Sequence, residues 1–193
     1  AGTGWAALPH TVAFIDALHS TGIAHSLCGI ERLVQILSRH WQQPNLEVAL
    51  ADYEKTIFTE LDLIDQLVHG CYLASPYFRL FSAFSMLYFA ATISYETYRR
   101  ASVGSLSEPT LCDFSGAPKV GAESPATRRA FLTADDPVLR GRIDELYQML
   151  VQLVRCNPDG AAQAAFEQAV REAIAPYNRA GLLDPAARNM YRH

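Results

Sequence analysis

Strand signals are almost absent from this chain. Only residues 11–15 read as a short extended segment, so no sheet-based domain is expected from these residues. A basic block is also missing. With 16 Lys and Arg against 20 Asp and Glu, the net charge is -4. That argues against nucleic acid as a partner, because phosphate binding needs clustered cations. No CxxC occurs, and Cys28, Cys71, Cys112 and Cys156 stand far apart. Neither a disulfide framework nor a zinc site fits such spacing, and a reducing cytoplasm is the expected compartment. No positive segment precedes an apolar one at the start, and no initiator Met is present. The opening therefore reads as a cut into a longer protein. The membrane candidate, residues 80–95, is uncharged but only 16 residues long and holds three serines and a threonine. A spanning helix needs about 20 apolar residues, so a buried central helix is expected and no membrane span.

What is present is helical period. The chain has 193 residues, 50% of them hydrophobic and 19% charged, enough for one domain with a sizeable core. Ile23, Leu27, Ile30, Val34, Leu37 and Trp41 recur at steps of 4, 3, 4, 3 and 4, one face of a helix that Pro44 stops. Asn45 is placed to cap the next helix. There Ile57, Leu61, Ile64 and Val68 repeat the stripe, and Gly70 suits the end. Asp52, Glu54, Glu60, Asp62 and Asp65 read as its wet face. A cap residue followed by proline marks further starts at Ser75-Pro76, Ser124-Pro125, Asp136-Pro137 and Asp184-Pro185. Ile143, Leu146, Tyr147, Leu150, Leu153 and Val154 define one more helical face. Phe166, Val170, Ile174 and Tyr177 define another, bent near Pro176. Residues 102–124 are rich in Gly, Pro and Ser and read as a loop.

The chemistry-bearing stretch is residues 14–23, FIDALHSTGI. Gly22 opens the first strong helix, whose leading N–H groups carry the positive end of its dipole. Ser20 or Thr21 can cap it, glycine lets a flat ligand or an anion come close, and Asp16 can accept a hydrogen bond. A plain N-cap and a ligand edge both satisfy these residue types. His10, His19 and His25 crowd the region, but His19 and His25 share no helix face, so no metal is expected. His19 suits proton transfer, since imidazole titrates near neutrality. The aromatic run Tyr72, Tyr77, Phe78, Phe81, Phe84, Tyr88 and Phe89 reads as core, with some members free to line an apolar pocket. Cys28, one step off the stripe, reads as packed rather than reactive.

FIDALHSTGI resembles the C-terminal flavin-contacting motif of FAD-dependent oxidoreductases of the p-hydroxybenzoate hydroxylase type, above all the flavin-dependent (tryptophan) halogenase-like group and the geranylgeranyl-reductase-like group. The order of the later segments resembles those proteins as well. The resemblance implies that Asp16, Ser20, Thr21, Gly22 and Ile23 contact FAD, with His19 where tryptophan halogenases place a catalytic glutamate. It implies a mainly α fold: a helical bundle with a short extended N-terminal segment, the C-terminal portion of a larger FAD-binding α/β protein. Residues 1–21 would end the FAD-binding domain, and 22–193 would form a C-terminal helical domain facing an apolar or aromatic small-molecule substrate. The GxGxxG fingerprint, the catalytic lysine and the WxWxIP motif of the tryptophan halogenases do not occur here. These residues alone are therefore not expected to hold FAD or to turn over substrate, and the N-terminal FAD-binding domain is the expected partner. The other reading is a non-enzymatic helical interaction module that keeps a relic of the motif.

Overall fold

A computed structural model describes residues 1–104, 129–184 and 186. Among them are six α-helices and no strand: α1 Pro9–Val12, α2 Thr21–His40, α3 Leu46–Ala74, α4 Phe78–Gly104, α5 Pro137–Arg155 and α6 Gly160–Ile174. The bundle is built around α4, which packs against α3, α5, α6 and a buried turn at Phe131–Thr133. α4 is apolar on several sides, and Leu80, Ala83, Phe84, Leu87, Ala90 and Ala91 are fully buried. A helix apolar on several sides belongs in the middle. Among the described residues no helix is long and apolar enough to cross a membrane.

α3 carries the expected stripe of Ile57, Leu61, Ile64 and Val68, all buried. It buries Leu63, Leu67 and Cys71 as well, because it lies between α2 on one side and α4 and α5 on the other. Asp136 caps α5 as its sequence position predicts, accepting from the N–H groups of Val138 and Leu139, with Pro137 opening the helix. Ile143, Leu146 and Leu150 bury its inner face, and Phe166, Val170 and Ile174 bury that of α6.

Several expectations need correction. Residues 11–15 form no strand: Pro9 opens the short helix α1, and its ring rests on Gly29 of α2. A β-carbon at Gly29 would stand 2.4 Å from the Pro9 ring, so the absence of a side chain there lets α1 dock. Asn45 holds the cap position of α3 but caps nothing; its Oδ1 pairs with His40 Nδ1 at 3.0 Å. Gly70 does not end α3. It lies inside the helix, where a β-carbon would meet the Phe84 ring at 2.2 Å. Ser75 closes α3, and α4 starts past Pro76, at Phe78. Residues 102–104 belong to α4 rather than to a loop, and 105–124 and the Ser124-Pro125 start lie outside the described residues. α6 ends at Ile174, so Pro176 follows the helix instead of bending it. Asp184 accepts from the Ala186 N–H, while Pro185 lies outside the described residues.

The apolar row of α2 does lie on one face, and that face points outward. Ile23, Leu27, Val34 and Trp41 are 77%, 60%, 56% and 62% exposed, and Ile30 and Leu37 face outward with them. The buried residues are Thr21, His25, Cys28 and Gly29.

Candidate functional site

α2 turns its polar side inward because α3 offers a buried anion. Glu60, expected on a wet face, is fully buried. Arg32 Nη1 donates to its Oε2 at 2.8 Å, and Arg32 Nη2 donates to Oε1. His25 Nε2 lies 2.9 Å from Oε2, and the Phe131 N–H donates to Oε1. Burial alone would push the Glu60 carboxyl up; the hydrogen bonds from His25 and Arg32, the Arg32 charge and the Phe131 N–H hold it below its ordinary value. A buried carboxylate survives only when its lone pairs are filled and its charge is met. The sequence did carry a signal for this. Glu60 lies three residues after Ile57 and four before Ile64, on the inner stripe, unlike exposed Asp62 and Asp65. On α2, Thr21, His25, Cys28 and Arg32 form a second stripe at steps of 4, 3 and 4. Next to this network the Cys28 thiol lies 3.1 Å from the Tyr95 hydroxyl, buried as expected for a packed cysteine.

The turn that leads into α2 is wound tightly. Asp16 Oδ1 accepts from the Leu18 N–H at 2.7 Å and from the Tyr72 hydroxyl at 3.0 Å, so it closes the turn. His19 and Ser20 both take left-handed backbone conformations, φ 63° and 54°. Each such non-glycine residue costs on the order of 1 kcal/mol and persists only where the surroundings impose it. His19 shows what imposes it. Its ring stacks on Tyr88 with centroids 4.3 Å apart and planes 9° apart, and Phe89 meets it edge-on. The Tyr88 hydroxyl donates to the His19 carbonyl at 3.3 Å, and His19 Nε2 lies 3.5 Å from Cys71 Sγ. Burial lowers the His19 pKa, so the imidazole is neutral at pH 7.

The expected contact residues divide at the helix mouth. Ser20 occupies the cap position, but its side chain makes no capping hydrogen bond; the left-handed backbone turns it into solvent. The expectation that Ser20 or Thr21 caps α2 is corrected accordingly: Ser20 makes no cap bond, and Thr21 is the first residue of the helix itself. Thr21 is buried, Gly22 is half-buried beside the His10 ring, and Ile23 stands out in solvent. Asp16, Ser20, Thr21, Gly22 and Ile23 are thus gathered at one place, around an α2 N-terminus that no side chain caps. His10 stacks edge-on against the exposed Phe14, 5.4 Å between centroids. Such a mouth fits the edge of a flat ring or a small anion.

Nothing in the sequence pattern places Cys71, Ser85 or Tyr88 next to His19. Cys71, Ser85 and Tyr88 come from α3 and α4, more than 50 residues away, and only packing brings them to the turn. The aromatic run divides between core and surface: Phe84 and Tyr88 are buried, whereas Tyr72 and Phe78 are exposed. A cleft of about 310 Å³ opens elsewhere, between the N-terminal segment and α3, lined by Trp5, Val12, Tyr53, Ile57 and Phe58 among others. Among the described residues no three His, Cys, Asp or Glu side chains converge as a metal site. Comparison with protein-family models, curated proteins and solved structures finds no match to this chain.

Proposed function

We propose that this chain is the helical, substrate-side portion of an FAD-dependent oxidoreductase of the halogenase-like monooxygenase type. In that reading the outer face of α2 docks on the FAD-binding domain of the same cytoplasmic protein, and Ser20, Thr21, Gly22 and Ile23 meet the flavin edge. The observation that carries it is the outer face of α2: six apolar side chains point outward in one row that starts at the turn resembling a flavin contact. Exposed apolar rows of this extent mark surfaces that another body covers. FAD, when bound, supplies the redox chemistry. The chain supplies the N-terminus of α2 at Thr21 and Gly22, which the Ser20 side chain leaves uncapped, for negative charge, a neutral His19 beside it, and apolar walls for a small aromatic or aliphatic substrate. The apolar cleft by Trp5 and Phe58 is one surface of suitable character.

The same row favours a second reading, a helical interaction module without chemistry of its own. Flavin content separates the two. A protein containing this chain together with its upstream sequence should purify yellow, with flavin stoichiometric to protein. Gly22→Val should reduce flavin-dependent turnover while leaving the helical circular dichroism unchanged. Leu27→Glu with Val34→Glu should separate the two parts. A colourless protein in which α2 still binds a partner establishes the interaction module instead.

A further inference from the structure

Beneath the turn, three polar atoms stand in a row. His19 Nε2 lies 3.5 Å from Cys71 Sγ, and Sγ lies 3.4 Å from Ser85 Oγ. Cys71 and Ser85 are both buried, so water does not compete for these contacts. Each of the three groups brings one hydrogen, and two arrangements use them. In the first, the Ser85 hydroxyl donates to sulfur, the Cys71 thiol donates to Nε2, and the ring hydrogen sits on Nδ1. In the second, Nε2–H donates to sulfur and the thiol donates to Ser85. Imidazole nitrogen is a good acceptor, whereas a thiol sulfur is a weak one. The first arrangement gives the thiol proton the best acceptor in the row. The second spends a ring N–H on the poorest.

We propose that Cys71, backed by Ser85, is a positioning residue that fixes His19 as its Nδ1–H tautomer. Among the described residues Nδ1 takes no hydrogen bond from the chain and is not sealed in without a partner. Stacking on Tyr88 fixes the plane of the ring, and the thiol fixes which nitrogen bears the hydrogen. Burial supports the assignment from both ends, holding the Cys71 thiol protonated and the His19 ring neutral at pH 7. His19 then offers one oriented N–H donor at the mouth of α2, suited to a carbonyl or anionic oxygen. The tautomer follows from the chain alone; its use toward a bound ring or substrate oxygen rests on the flavin reading above.

The test is nitrogen-15 NMR on the 193-residue chain without any cofactor. Histidine side-chain correlation spectra at neutral pH, with His19 assigned through His19→Gln, report which ring nitrogen bears hydrogen. One dominant Nδ1–H form is expected for His19. Cys71→Ala should shift it to a mixture or to Nε2–H, and Cys71→Ser, which keeps an O–H donor, should restore Nδ1–H. A His19 that is Nε2–H in the native chain overturns the proposal. So does a folded Cys71→Ala chain with an unchanged tautomer. If Cys71→Ala does not fold, the native spectrum and Cys71→Ser decide. Because no flavin is present, these outcomes are independent of flavin content in the larger protein: a colourless parent removes the use of His19 but leaves its tautomer standing.

Discussion

At the scale of single residues, what matters is which side of the backbone a side chain is forced to take. Ser20 has the composition of a cap and the position of a cap, yet its φ of 54° points it away from the helix N–H groups. Ser20→Ala should therefore cost well under the ~1 kcal/mol that losing a real cap costs. Ser20→Gly should stabilise by up to about 1 kcal/mol, because glycine carries no penalty in the left-handed region. Urea unfolding of the two variants checks both; a loss of 1 kcal/mol or more in Ser20→Ala would show that the hydroxyl caps after all. Gly70 gives the opposite case. Its expected role as a helix end needs only flexibility, but the Phe84 ring occupies the space a β-carbon would take. Both sit on well-packed helices, so Gly70→Ala should destabilise by roughly 1–3 kcal/mol, despite alanine's better helix propensity. A stabilised variant would mean that Phe84 moves aside freely.

At the scale of elements, two helix starts separate real caps from apparent ones. Asp136 accepts two backbone N–H bonds, at 3.0 and 3.1 Å, and Arg129 pairs with its other oxygen at 3.1 Å. Asn45 occupies the same position on α3, where only its backbone carbonyl bonds the helix and its side chain does not. Asp136→Ala should cost about 1 kcal/mol and Asn45→Ala a few tenths, measured side by side by thermal unfolding. Equal costs would show that position alone sets the cap. α2 carries the related lesson for faces. A row at steps of 4, 3, 4, 3 and 4 states that one side of a helix is apolar, and nothing in it states which body covers that side. Here the opposite side has the stronger claim on the bundle interior, because Arg32 and His25 have a buried carboxylate to meet.

At the scale of the whole molecule, Glu60 ties α2, α3 and the 131–133 turn together. Glu60→Gln removes the charge that Arg32 is buried against, and should cost about 3–5 kcal/mol. Its pH dependence has a definite sign. The folded carboxyl is held below its ordinary value, so the stability it contributes is present above the ordinary carboxylate range. That stability is lost as pH falls through the lowered folded value. Denaturant midpoints of the native chain and Glu60→Gln should therefore converge on acidification below about pH 4, the ordinary carboxylate range. A gap that stays constant through that range would mean that the carboxyl binds its proton equally well folded and unfolded, so that its value is not lowered in the fold. His19 acts with the same sign at higher pH: its lowered value makes acidification from the ordinary imidazole range downward unfavourable to the fold.

The helical class, the starts of α2, α3 and α5, and the buried stripes of α3, α5 and α6 were legible in the residues. Each depends on period, proline or a cap within a few positions of itself. The gathering of Asp16, Ser20, Thr21, Gly22 and Ile23 was legible for the same reason, since those residues are neighbours in the chain. Only tertiary structure decided that α2 faces its apolar row outward and that Glu60 is buried. The same holds for Cys71, Ser85 and Tyr88 lying under His19. A charge or polar group is expensive in a core until a partner meets it, and those partners stand 28 to 71 residues away. Local pattern sets what each helix can bury; which face it does bury depends on what the rest of the chain brings to meet it.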